Sequence, residues 1–180
     1  MSHRFAFTAA LVAAFSAPSA LVAQDFSFCW IGANGYSMTG KMQIADGATG
    51  VATEADVTAF KIAGYHNGNL LGTWDMRDLR DGATWHLRFD LDTQSFPTGG
   101  SFPASYSQGW NANGAVTDCG NPGFGFNSGN HAQDVCVNGS WARDSSIAPD
   151  TPLVAVAGAN APTCRQVPLM SKSTKPNHSD

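Results

Sequence analysis

The chain has 180 residues, with 10 Lys and Arg against 14 Asp and Glu, a formal net charge of −4. It carries neither a basic patch nor a basic helix, which argues against nucleic acid or an anionic membrane surface as a partner. Charged residues make up 13% of it, about half the usual share of roughly 25%, and Glu54 is the lone Glu, a bias toward the Asp of turns and away from the Glu of helices.

The chain opens with a short basic start, His3 and Arg4, an apolar run from Phe5 to Phe15, and small residues that end at Ala23. This is the layout of a secretory signal peptide over residues 1–23. A membrane anchor needs roughly 20 apolar residues; this run is shorter and is broken by Ser16 and Pro18, and no later segment is long or apolar enough to span a bilayer. The expectation is export, to the periplasm or beyond. Cys29, Cys119, Cys136 and Cys164 all lie past the leader, and an even count in an oxidising compartment predicts two disulfides. Three pairings are open. The preferred one joins Cys119 to Cys136, closing a loop-rich stretch, and Cys29 to Cys164, tying the first strand to the last. With no C-x-x-C pair and no close His partner, a metal site is not predicted, and no cofactor is implied.

From Asp25 onward Phe26, Phe28 and Trp30 alternate with Ser27 and Cys29, the period of a strand with one buried face. After the Asn34-Gly35 turn the alternation resumes with Tyr36, Met38, Met42 and Ile44 on one side, which makes a hairpin. Thr53 to Asp56 has the form of a capping box, good for one helical turn. Asn67-Gly68 predicts a second hairpin, with Tyr65 opposite Leu70 and Lys61 opposite Trp74. The face shared by Tyr65, Leu70 and Trp74 is then either core or a docking surface for a protein. Next, Trp85, Leu87, Phe89 and Leu91 alternate with His86, Arg88, Asp90 and Asp92, so His86, Arg88 and Asp90 are expected on the solvent side.

Beyond Thr93 the regular pattern dissolves. Up to Gln133 the only formally charged side chain is Asp118, amid Gly, Asn, Ser, Pro and aromatics. Such a stretch predicts a looped surface held by cross-links or ligands. Short strands are expected near 105–108, 134–137 and 153–157, and residues 171–180 read as a disordered tail. The whole predicts an all-β fold over residues 24–170, a single-domain antiparallel β-sandwich or partly closed barrel with a long disulfide-framed loop region.

The segments FSFCWIGANGYSMTGKM (26–42), TEADVTAFKIAGYHNGNLLGTWDM (53–76) and WHLRFD (85–90) resemble the strand and turn pattern of small exported bacterial β-proteins of unknown function. That resemblance implies a β fold and export. Some of those proteins end in an anchoring tail, whereas this chain ends in SKSTKPNHSD, so a soluble exported state is expected. The resemblance carries over no functional residues.

Several chemistries can be weighed from residue types alone. Ser128, His131 and Asp134 supply the side chains of a nucleophilic triad, but from one loop and without a Gly-x-Ser-x-Gly elbow. Asp75, Asp78, Asp81, Asp90 and Asp92 could furnish a carboxylate pair or calcium ligands, though turn and strand-end aspartates explain them as well. His66, His86 and His131 lie on separate segments with no ligand spacing, and Asn138-Gly139-Ser140 and Asn177-His178-Ser179 match a glycosylation sequon. The leading candidate is a glycan site in the uncharged stretch. Sugars offer apolar C–H faces and many hydroxyls, so they need flat aromatics beside neutral donors and acceptors. Trp110, Asn111, Asn113, Phe124, Phe126 and Asn127 provide both. The expected function is a non-catalytic binding module with a glycan or protein partner; the alternatives are a small secreted hydrolase and a cell-envelope structural protein.

Overall fold

The computed structural model describes residues 23–158 and Cys164; apart from Ala23, the predicted leader lies outside them, as does the predicted tail. Thirteen strands follow one another with no α-helix among the described residues. The first five are β1 (Gln24–Ile31), β2 (Tyr36–Ile44), β3 (Val51–Thr53), β4 (Val57–His66) and β5 (Asn69–Asp75). Short strands follow: β6 (Trp85–His86), β7 (Arg88–Asp90), β8 (Ser95–Phe96) and β9 (Gln108–Trp110). The last four are β10 (Phe124–Ser128), β11 (Gln133–Val137), β12 (Ser140–Trp141) and β13 (Leu153–Ala157).

They form two antiparallel sheets. Eight strands run in the order β3-β7-β8-β13-β1-β2-β4-β5 and curl into a half-barrel, and five run in the order β12-β11-β10-β9-β6. The sandwich expectation holds, as does the preferred cysteine pairing: Cys29 joins Cys164 and Cys119 joins Cys136. The core lies between the sheets. Phe28 and Phe60 of the large sheet meet Trp110 of the small one at ring-centroid distances of 5.3 and 4.8 Å, and Trp30 meets Phe126 at 5.4 Å. At Gly64 an added Cβ would lie 2.0 Å from the Phe124 ring of the other sheet, so only a residue without a Cβ fits.

The turn signals in the first half behave as expected. Asn34-Gly35 and Asn67-Gly68 adopt positive φ and close their hairpins, and at Thr53 the backbone N–H donates to Asp56 Oδ2 at 2.8 Å, opening one 3-10 turn. Two expectations need correction. In the second hairpin Tyr65 does pair with Leu70, but Gly64 pairs with Gly72, leaving Leu71 as an extra residue in β5. The bulge moves every later side chain to the opposite face. Trp74 therefore pairs with Ile62 and enters the core, Lys61 pairs with Asp75, and of the expected docking face only Leu70 is strongly exposed.

The second correction concerns His86, which is 7% exposed rather than solvated. The chain changes sheets at the fully buried Leu87, so that β6 belongs to the small sheet and β7 to the large one. Glu54 spans this crossing: its carboxylate accepts from Leu87 N–H and from Arg88 Nη1, each at 2.8 Å, and lies 3.0 Å from His86 Nδ1. Burial alone would raise the Glu54 pKa, but the hydrogen bonds from Leu87 and its own backbone and the Arg88 guanidinium outweigh that and hold it below the usual value.

Candidate functional site

The inner face of the small sheet is used up by the core. Its outer face is not. In β10 the alternation of a strand sends Phe124, Phe126 and Ser128 inward, and Gly125 and Asn127 outward. In β11 Gln133 and Val135 point inward, Gln133 accepting from Trp30 Nε1 at 3.0 Å, and Asp134 and Cys136 point outward. Asn127 and Asp134 are direct partners across the hairpin, which brings an amide and a carboxyl together on the outer face. Over them lies a groove of about 480 Å³, walled by Phe102, the 114–116 loop, the 129–132 turn, Trp141, Arg143 and Ser146.

Asp134 is the polar centre of this groove and is only 3% exposed. Three elements donate to it: Asn127 Nδ2 at 3.2 Å to Oδ1, then Trp141 Nε1 at 2.9 Å and Ser146 Oγ at 3.4 Å to Oδ2. Burial pushes its carboxyl above the usual aspartate range, and the hydrogen bonds from Asn127, Trp141 and Ser146 offset this only in part. Trp141 is thereby fixed by its indole N–H while 40% of its surface stays exposed. On the Trp141 ring rests the Arg143 guanidinium, with its carbon 4.9 Å from the centroid.

The walls are built from the uncharged stretch. The Cys119–Cys136 disulfide, with Ala112 and Val116, forms a small second core beneath the 114–116 wall. Asn113 Oδ1 accepts from the N–H groups of Ala115 and Thr117, and Asp118 accepts from Asn113 N–H and the Thr84 hydroxyl. Phe102, packed beside Gly114, lies edge-on to His86 at 5.6 Å, and His86 Nε2 reaches Ala104 O at 3.1 Å. The Glu54 and His86 pair thus anchors the loop that carries Phe102.

Of the residues expected to bind ligand, Asn127 alone lines the groove. Trp110, Phe124 and Phe126 are fully buried in the core, because the stretch that carries them folds into β9 and β10 rather than into a loop. The nearly buried Asn111 uses Nδ2 to tie Cys119 O to Phe124 O, 2.9 Å from each, and Asn113 spends its side chain on its own turn. The triad is not assembled either. His131 and Asp134 line the groove, but Ser128 points to the opposite face and is fully buried. Asp134 is the sole carboxylate among the groove-lining residues, so a paired-carboxylate mechanism lacks its second member there. Among the described residues no three His, Cys, Asp or Glu side chains converge as metal ligands.

Sequence reasoning missed Phe102 and Ser146 in the groove wall, and it missed Trp141 and Arg143. The signal for the latter pair was the Asn138-Gly139 turn, which sets Trp141 opposite Cys136 and within reach of Asp134. Comparison with protein-family models, with curated proteins and with solved structures finds no match to this chain.

Proposed function

We propose that this chain is an exported, non-catalytic binding module whose outer groove takes a carbohydrate. The observation that carries the proposal is Trp141, an exposed indole locked by a buried carboxylate beside an amide, at the edge of a largely apolar groove. A sugar ring needs that combination: a rigid flat surface for its C–H face and polar groups beside it for its hydroxyls. The two disulfides and the leader-like start support export to an oxidising compartment, periplasmic or extracellular. The test is binding of the disulfide-intact chain to a glycan array, with Trp141→Ala beside it. Asp134 keeps Asn127 and Ser146 as donors in that variant, so the variant should retain the parent's circular dichroism spectrum while losing saturable binding. Binding that survives the substitution, or none in the parent, refutes the groove as a glycan site.

A further inference from the structure

The polar groups of the groove divide by depth. Asp134 is buried, and the donors of Asn127, Trp141 and Ser146 are turned onto it. A carboxylate offers about four lone-pair positions, and these three donors leave capacity for one more, which suits a hydroxyl of the ligand. Arg143 is exposed and stands at the mouth. The other end of a ligand seated on Asp134 therefore meets a cation.

That cation is stacked on an aromatic ring and has no ion-pair partner among the described residues. Arg143 stacks on Trp141 and is the one Lys or Arg among the groove-lining residues; among the described residues it forms no ion pair and its guanidinium donates no hydrogen bond. A stacked guanidinium has lost part of its rotamer freedom and keeps its planar fork of donors, the arrangement that recognises a carboxylate in two parallel hydrogen bonds. His131, exposed on the same groove, stands by as a further polar group.

Resting on the carbohydrate reading above, we infer that the groove selects an acidic sugar: a hexuronate residue with a hydroxyl on Asp134, its ring against the exposed part of Trp141 that Arg143 does not cover, and its carboxylate on Arg143. One guanidinium at the groove of a chain of net charge −4 suits a single acidic residue in an otherwise neutral glycan, not a densely charged polymer, which the overall field would repel.

The experiment is a calorimetric titration of the disulfide-intact chain with a neutral gluco-oligosaccharide and with the same oligosaccharide ending in a hexuronate. The acidic form should bind about tenfold tighter or better at low salt, as a charge-assisted pair predicts, and the advantage should shrink as salt rises. Arg143→Gln should bring the two affinities together by weakening only the acidic ligand, and Arg143→Lys should restore part of the preference. Trp141→Ala should abolish both. Equal affinities in the parent, or a preference that Arg143→Gln leaves intact, overturn the acidic-sugar inference while the carbohydrate reading stands. If neither ligand binds the parent, both fall.

Discussion

Trp110 looked in the sequence like a ligand platform and lies in the structure at the centre of the core, so Trp110→Ala separates the two directly. The indole is fully buried and meets Phe28, Phe60, Phe96 and Phe126 at centroid distances between 4.8 and 5.3 Å. Truncating a buried Trp to Ala typically costs about 3–5 kcal/mol, and losing four aromatic contacts, each worth about 0.5–1.5 kcal/mol beyond burial, pushes toward the upper end. One term opposes this: among the described residues the buried Trp110 Nε1 has no hydrogen-bond partner, and removing such an orphan returns about 1–3 kcal/mol. The net loss is then about 2–4 kcal/mol, a fall in Tm of about 4–16 °C for a chain of this size. Trp110→Phe keeps most of the ring contact and also removes the orphan, so it should stay within about 1.5 kcal/mol of the parent. Urea unfolding of the disulfide-intact protein, followed by tryptophan fluorescence and by circular dichroism, checks both. An Ala variant within 1 kcal/mol of the parent that nonetheless loses a ligand would refute the placement of Trp110 as core.

Three further outcomes follow from the same packing and electrostatics. Gly64→Ala drives a Cβ to 2.0 Å from the buried Phe124 ring, an overpacking that should cost about 1–3 kcal/mol or more; a denaturant midpoint equal to the parent's would show that the sheets can separate there. Because Asp134 has its pKa raised in the fold, the native state holds its proton more tightly than the unfolded chain. Its contribution is most favourable below the unfolded pKa, declines as pH rises toward the folded pKa, and stays low above it. Asp134→Asn should therefore gain on the parent most at neutral pH, with the difference narrowing in acid; a gap that widens on acidification contradicts the sign. Replacing Cys119 and Cys136 together by Ser opens a loop of sequence separation 17 and should cost about 2–4 kcal/mol. Amide exchange should accelerate first in residues 113–118, the groove wall over that disulfide, and a uniform acceleration would contradict the local role.

The fold was legible where local signals were unopposed. Strict alternation in 26–30 and 36–44 and the two Asn-Gly turns specified the first hairpins, since a one-residue slip would turn the aromatics out to water. The bulge at Leu71 was hidden because a turn fixes register only from its own end, and what selects Gly64 opposite Gly72 is the Phe124 ring, some fifty residues away in sequence. His86 was misplaced for a related reason. Alternation from Trp85 to Leu91 assumes one sheet, and Leu87 is where the chain leaves one sheet for the other, so the outward side at β6 is roofed by the loop carrying Phe102 and Ala104.

The site was half legible for a reason that lies in the uncharged stretch itself. Low charge with many aromatics marks a segment that avoids water, and a ligand platform and a core strand meet that description equally well. What separates them is the second sheet. Once β9 and β10 pair, every other residue is claimed by the interior: Trp110, Phe124 and Phe126 fill it, and Ser128 is carried in with them. The residues left over, Asn127 from β10 and Asp134 from β11, become the outer face by parity alone. A carboxylate stranded there beside apolar walls must find donors or neutralise. Asn127, Trp141 and Ser146 are those donors, and by answering Asp134 they fix the indole and, through it, the stacked guanidinium. The buried acid is thus the organising residue of the groove, and the exposed Trp141 and Arg143 are the groups it makes available to a ligand.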